Sequence, residues 1–244
     1  PGRVRRVRPK LAPGRQAGGP APVRLVLRHP GVAIVVALAV IAAVALPTTI
    51  AFRGGGSGEA IVGDAVALLD PESGELIDHV PLGSRPGAVA IGEGGVWVTL
   101  PDQGKVVEID PETRNVVDSI EVGADPVGLV VSIDSIWVAN AGSSNVSRIS
   151  PSAGNEVVGT IDMPGGAAAI AVGPDGIWVA NNFGDTVTLI DPVNLRDLET
   201  IPVDGDQPVA LATTQEGVWV ANAGSGTLSL VSGPTTPVLP AEAG

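Results

Sequence analysis

Cysteine is absent from this 244-residue chain, so it has no disulfide framework, no thiolate metal site and no thiol to carry a lipid. Tyrosine is absent as well and phenylalanine occurs twice, which leaves little material for aromatic cages or base-stacking platforms. Acid is missing from one region only. Residues 1–58 hold nine Arg or Lys and no Asp or Glu, whereas the other five basic residues stand against all 26 acids beyond Gly58. Such an acidic body repels phosphate, and no nucleic-acid partner is expected for it. Opposite charge in the two segments indicates two electrostatic surroundings.

Signatures of catalysis are equally scarce. The two histidines are His29, beside an apolar run, and His79, in a strand-like stretch. A lone histidine gives no acid–base pair. No glycine loop followed by lysine cradles a phosphate, and no Asp-x-Asp-x-Asp spacing holds calcium. No catalytic residue, metal or cofactor is therefore expected. Asn145-Val146-Ser147 matches a glycosylation sequon, a weak signal.

Residues 1–30 are rich in Pro, Gly and Arg and read as a disordered basic tail. Residues 31–52 then run GVAIVVALAVIAAVALPTTIAF without a charge. At helical rise, 22 residues cover about 33 Å, enough to span a bilayer. Basic residues crowd before the run and only Arg53 follows closely. The expected arrangement is a single transmembrane helix with its amino terminus cytoplasmic and all that follows extracytoplasmic. An uncleaved signal anchor fits better than a cleavable leader, because the apolar run exceeds the ~7–15 residues of a leader core. Residues 53–63 form a glycine-rich linker. Because the chain begins at Pro1 rather than Met, it is expected to be a fragment or processed form, with an upstream domain in prospect.

Beyond the linker the chain repeats. The only four tryptophans, Trp97, Trp137, Trp178 and Trp219, each close a Gly/Ser-Val/Ile-Trp-Val motif at intervals of 40 or 41 residues. Around the first lie an Ala/Val/Ile run at 88–92, the tryptophan strand at 95–100, and alternating stretches at 105–110 and 115–122. Turn residues recur between them: Gly-rich links, Asn-Ala-Gly-Ser after the second strand, and Asp-Pro or Ser-Pro at Asp70, Asp110, Ser150 and Asp191. Four antiparallel strands per ~41 residues describe a β-propeller blade. One such sheet cannot bury both faces alone, so the tryptophans are expected to fill the wedges between sheets. Asn140, Asn181 and Asn222, three residues after their tryptophans, read as turn caps.

The fold class expected is thus all-β, a propeller of about four four-stranded blades over residues 64–231, preceded by the membrane helix and followed by a disordered tail at 232–244. Strands three and four of a unit at 64–82, three complete units, and strands one to three at 209–231 exceed four blades by one strand. Either Leu76–Leu82 completes the last sheet, or the ring is open, or a partner supplies further blades.

Units such as 126–165 resemble the YVTN family of bacterial β-propeller repeats, with Trp-Val-Ala-Asn where that family has Tyr-Val-Thr-Asn. The resemblance covers residues 64–231, and the first full copy departs from it at Trp97-Val-Thr-Leu100. It implies an extracytoplasmic binding propeller. In actinobacterial proteins similar propellers sit outside one membrane helix whose cytoplasmic side carries a regulatory domain, such as a transcriptional activator or a Ser/Thr kinase. A related class, resembling virginiamycin B lyase, catalyses eliminations with a histidine and carboxylate help on one face; His79 alone does not supply that.

Comparison among the copies gives candidate site residues. Twelve residues before the tryptophans stand Arg85, Asp125, Gly166 and Gln207, the most divergent chemistry in the unit. Their connection opens on the same propeller face as the turn after strand two, which adds Asp102, Phe183 and Asp185. Arg85, Asp125, Gln207, Asp102, Phe183 and Asp185 are therefore the expected polar recognition patch at the channel mouth. The competing explanation is that loop residues vary by default. The functions in view are a membrane-anchored extracytoplasmic module that binds a protein or cell-envelope ligand, a lyase-like enzyme, and a purely structural module whose open blade edges pair with another chain.

Overall fold

The structure, a computed structural model, describes residues 4–7, 63–132 and 134–232. The expected membrane span at 31–52, most of the basic tail and linker, and residues 233–244 lie outside these. Among the described residues no helix is long and apolar enough to cross a membrane.

Every sheet is antiparallel, and all but one have four strands. Sheet 1 pairs Ala65–Leu69 with Leu76–Pro81. Sheet 2 comprises Val89–Gly92, Gly95–Leu100, Lys105–Ile109 and Val116–Glu121 in sequence order. Sheet 3 repeats that order with Pro126–Val131, Ile136–Asn140, Asn145–Ser150 and Glu156–Asp162. Sheet 4 does so with Ala169–Gly173, Gly176–Asn181, Thr186–Asp191 and Arg196–Pro202. Sheet 5 contains Pro208–Thr214, Gly217–Asn222 and Thr227–Val231.

The fourth strand of sheet 5 corrects two expectations. Leu76–Pro81 pairs only within sheet 1 and does not complete the last sheet. The place is taken by Val4–Val7, antiparallel to Thr227–Val231 with Val4 opposite Val231 and Val7 opposite Leu228. Four residues of the stretch read as a disordered tail are thus a strand. The sequence Val-Arg-Arg-Val is too short to announce itself without the edge that receives it.

The second strands explain why sheets must stack. Every residue of Ile136–Asn140 and of Gly176–Asn181 is buried, so both faces of these strands are covered. Each of the first three tryptophans is covered by the following sheet. Trp97 clusters with Leu129, Ile136 and Val138 of sheet 3; Trp137 with Ile170, Ile177 and Val179 of sheet 4; Trp178 with Val218 and Val220 of sheet 5. The first three are 0%, 1% and 1% exposed. Burying an indole of this size contributes at most about 4–6 kcal/mol of transfer free energy. Trp219 differs: no described sheet follows sheet 5, and its ring is partly exposed.

Turn chemistry sets the rest. Asp70, Asp110 and Asp191 each accept backbone N–H groups two and three residues on, the Asx arrangement expected before proline. Ser150 lacks that acceptor geometry, and its turn winds as a 3-10 helix, Pro151–Ala153, one residue longer. Asn140, Asn181 and Asn222 are buried clamps rather than turn caps. Each Nδ2 donates to two side-chain oxygens on the next strand, Asn145 and Ser147, Thr186 and Thr188, or Thr227 and Ser229. These asparagine side chains pack on Gly123, Gly165 and Gly205, where any Cβ would come within 2.9 Å of them.

Candidate functional site

The divergent position twelve residues before each tryptophan lies in the loop joining one sheet to the next. At Asp125, Gly166 and Gln207 that loop turns through positive φ, at 50°, 87° and 53°. It is tied to the turn after the second strand by backbone hydrogen bonds: Ala141 N–H to Asp125, Phe183 N–H to Gly165, and Ala223 N–H to Gln207. The two loops of a unit therefore form one piece of rim, and the side chain at one limits the side chain at the other.

That limit shows in all four full units. Arg85 Nη2 meets Asp102 Oδ1 at 3.3 Å, with both side chains more than half exposed. Asp125 stands over Gly142, where an added Cβ would lie 3.1 Å from its own. Gly166 lies under Phe183, whose ring would be 2.9 Å from a Cβ there. Gln207 stands over Gly224 at 3.2 Å by the same measure. Where one loop carries a large side chain the other carries glycine, and where both are large they are oppositely charged. Divergence at these positions is thus compensated within each unit, which comparison of single positions along the sequence did not disclose. Reading the two positions together, as Asp/Gly, Gly/Phe and Gln/Gly, would have disclosed it.

Direct contacts join four of the six predicted residues, Arg85 with Asp102 and Asp185 with Gln207, and the six lie in two groups along the chain. Arg85, Asp102 and Asp125 form the first. The Asp102 carboxylate is the main reason the Arg85 guanidinium is held above its ordinary pKa, with smaller contributions from Asp125 and Asp64. Phe183, Asp185 and Gln207 form the second. Asp185 Oδ1 accepts the Gln207 N–H at 2.8 Å, so Asp185 ties sheet 4's turn to the loop leading into sheet 5. Phe183 is 78% exposed, the largest unburied aromatic surface on this rim.

A second set of contacts, on the outer side, went unread in the sequence. In the turn before the fourth strand of sheets 2, 3 and 4, a residue with positive φ reaches back to the preceding sheet. Arg114 Nη1 pairs with Asp78 Oδ2 at 2.7 Å. Asn155 Nδ2 donates to Glu108 Oε2 and Asp118 Oδ2, both at 2.8 Å, and so bridges two carboxylates that face each other across strands. Leu195 lies over Gly159, its Cδ1 only 2.6 Å from where a Cβ would be. One geometric position serves as an ion pair, an amide bridge and an apolar contact in turn.

His79 sits in Leu76–Pro81 opposite Ala67. The adjacent Asp78 carboxylate is engaged by Arg114 and by the His79 backbone N–H. Among the described residues no cluster of His, Asp or Glu is arranged to hold a metal ion.

No protein-family model matches the chain, and no curated protein matches it significantly in sequence. Solved structures do match in shape. Virginiamycin B lyase from Staphylococcus aureus superposes with a TM-score of 0.60 at 17% identity, over 70% of this chain and 60% of its own. BamB from Moraxella catarrhalis gives 0.58 at 12% identity, over 70% of this chain and 52% of its own. BBS1N, from its complex with ARL6DN, gives 0.56 at 18%, over 71% and 59%. This chain therefore spans between a half and three-fifths of these longer proteins. Together with the five antiparallel sheets, the likeness makes the fold β-propeller-like.

Proposed function

We propose that this protein is a membrane-anchored, extracytoplasmic binding module of the YVTN-like propeller kind, non-enzymatic, that captures a protein or envelope ligand on the rim carrying Arg85, Asp102, Asp125, Phe183, Asp185 and Gln207. The observation that carries the reading is Phe183, held outward on a rim where its partner position is glycine. An exposed aromatic flanked by polar groups is the usual make-up of an interface anchor. BBS1N, a structural neighbour, was solved bound to a protein partner, which lends the binding reading plausibility by analogy of fold alone. The lyase-like alternative has His79 as its one candidate, beside an Asp78 carboxylate that Arg114 and the His79 N–H engage.

The test uses a photo-crosslinking residue at position 183 in the full chain, with position 193 as control, since Val193 is also well exposed but lies in an outer turn. A discrete adduct at 183 that disappears with Arg85→Ala plus Gln207→Ala supports the reading. Equal or absent adducts at the two positions overturn it. Anchoring is tested separately through the missing cysteines. A single cysteine at Ser152 is expected to react with a membrane-impermeant maleimide on intact cells; one at Gly2 is protected where residues 31–52 cross the bilayer, an arrangement that excludes the pairing of Val4–Val7 with Thr227–Val231. Reaction at Gly2 would put the tail on the propeller side, in line with the Val4–Val7 pairing and against an N-terminus inside the cell.

A further inference from the structure

Three internal junctions follow one rule, and the two ends of the arc each carry half of it. The residue nine after a tryptophan packs, in the same cluster, with the residue twelve after the next tryptophan: Val106 with Ile149, Val146 with Ile190, and Val187 with Val231. All six are fully buried. Leu228 holds the first of these positions in sheet 5 and is 42% exposed; Leu69 holds the second in sheet 1 and is also 42% exposed. Trp219 and Ala221, which share that face of sheet 5, are partly exposed, whereas Trp137, Ala139, Trp178 and Ala180 are buried. At the other end sheet 1 has only two strands, which leaves a notch where inner strands cover the other sheets. Its floor is Val89 and Ile91, 53% and 52% exposed, while Leu129 and Ile170, the counterparts of Val89, are buried and Val131 and Val172, the counterparts of Ile91, are half-buried.

We infer that these ends are the two halves of one contact, and that sheet 5 of one copy stacks on sheet 1 of a second copy, Leu228 against Leu69 and Trp219 over the Val89–Ile91 notch. The occupant is argued from the chain's own interfaces: the same contact is made three times internally, and a second copy presents both missing halves in the same register. The two faces differ, so the association is head-to-tail. Such a contact closes into a ring or continues as a helical stack according to its rotation. Association uses sheet faces, not strand edges, because the outer edge of sheet 5 is already paired with Val4–Val7. It is independent of the ligand-binding reading of the rim.

The chain contains no cysteine, so engineered ones report without background. Full-length Leu69→Cys and Leu228→Cys proteins in detergent micelles are mixed and oxidised, beside each alone and beside an Ile77→Cys with Leu228→Cys control. The expected result is a hetero-linked Leu69→Cys/Leu228→Cys dimer about tenfold above either self-linked one. Sedimentation of the wild-type chain in the same micelles should show mass rising with concentration, abolished by Leu228→Asp. Self-linking as strong as hetero-linking, no linking at all, or a wild-type chain that stays monomeric would each overturn the inference. Because Leu69 and Leu228 are both well exposed, neither cysteine disturbs a core, and circular dichroism checks that the variants fold.

Discussion

The inner junctions and the ends of this arc are built from the same sequence pattern and differ only in what covers them. Trp137 and Trp219 close near-identical motifs, and their strands pair in the same register with the next strand. One indole is sealed under sheet 4 and the other is partly open. The difference teaches that the repeat specifies a sheet, whereas burial is specified by the neighbour. A single blade has no core of its own; the core is the space between two.

Replacing tryptophans should break that contrast most strongly. Trp137→Ala is expected to cost about 3–5 kcal/mol in denaturant unfolding, as for other buried aromatic truncations. Trp219→Ala should cost clearly less at low protein concentration, where the chain is monomeric, and equal losses there would mean that the last wedge is covered within one chain. Gly159→Ala comes next. Its added methyl would stand 2.6 Å from Leu195 Cδ1, the far end of a half-buried side chain that can swing aside, so the cost should stay within about 1 kcal/mol and vanish in a Leu195→Ala background. Deleting residues 1–7 should leave sheets 2 to 4 unchanged while the Thr227–Val231 amides exchange with solvent about tenfold faster or more, because an edge strand would be unzipped. No change in hydrogen exchange would show that Val4–Val7 does not hold that edge in solution.

The smaller effects concern charge. Arg114→Ala removes an exposed ion pair between sheets 1 and 2. Its effect on the melting temperature should vanish at high salt, unlike that of Gly159→Ala. Asp70 and Asp110 are held below their ordinary pKa chiefly by the backbone N–H groups of Ser73 and Thr113. Burial pushes Asp191 upward, but bonds from Asn194 and Val193 outweigh it, and the net direction is also downward. Depressed carboxylates stabilise the fold above their unfolded pKa, about 3.9, and lose that contribution as pH falls through the lower folded value. The melting temperature should thus hold steady down to about pH 4 and fall below it, with the fall reduced in Asp191→Asn.

Much of the fold could be read locally. Strand spans, the ~41-residue unit and the Asp-Pro turns came from alternation, periodicity and turn residues, all of which act within a few positions. Unit comparison picked out the divergent position and loop connectivity put it beside the turn after the second strand, where backbone hydrogen bonds join the two loops, but the Arg85–Asp102 pair and the Gly166–Phe183 contact were not foreseen. The role of Asn140 was misjudged because Asn after a strand is ordinarily a turn residue; here its amide is buried and clamps the neighbouring strand.

By itself the sequence determined the repeating unit, since strands and tight turns are settled by neighbours along the chain. Only the tertiary structure decided which sheet covers which tryptophan, which glycine makes room for which side chain, and that Val4–Val7 fills the last edge. Those outcomes depend on residues tens to hundreds of positions apart meeting at contact distance, and spacing along the chain carries no record of which surface is left without a partner.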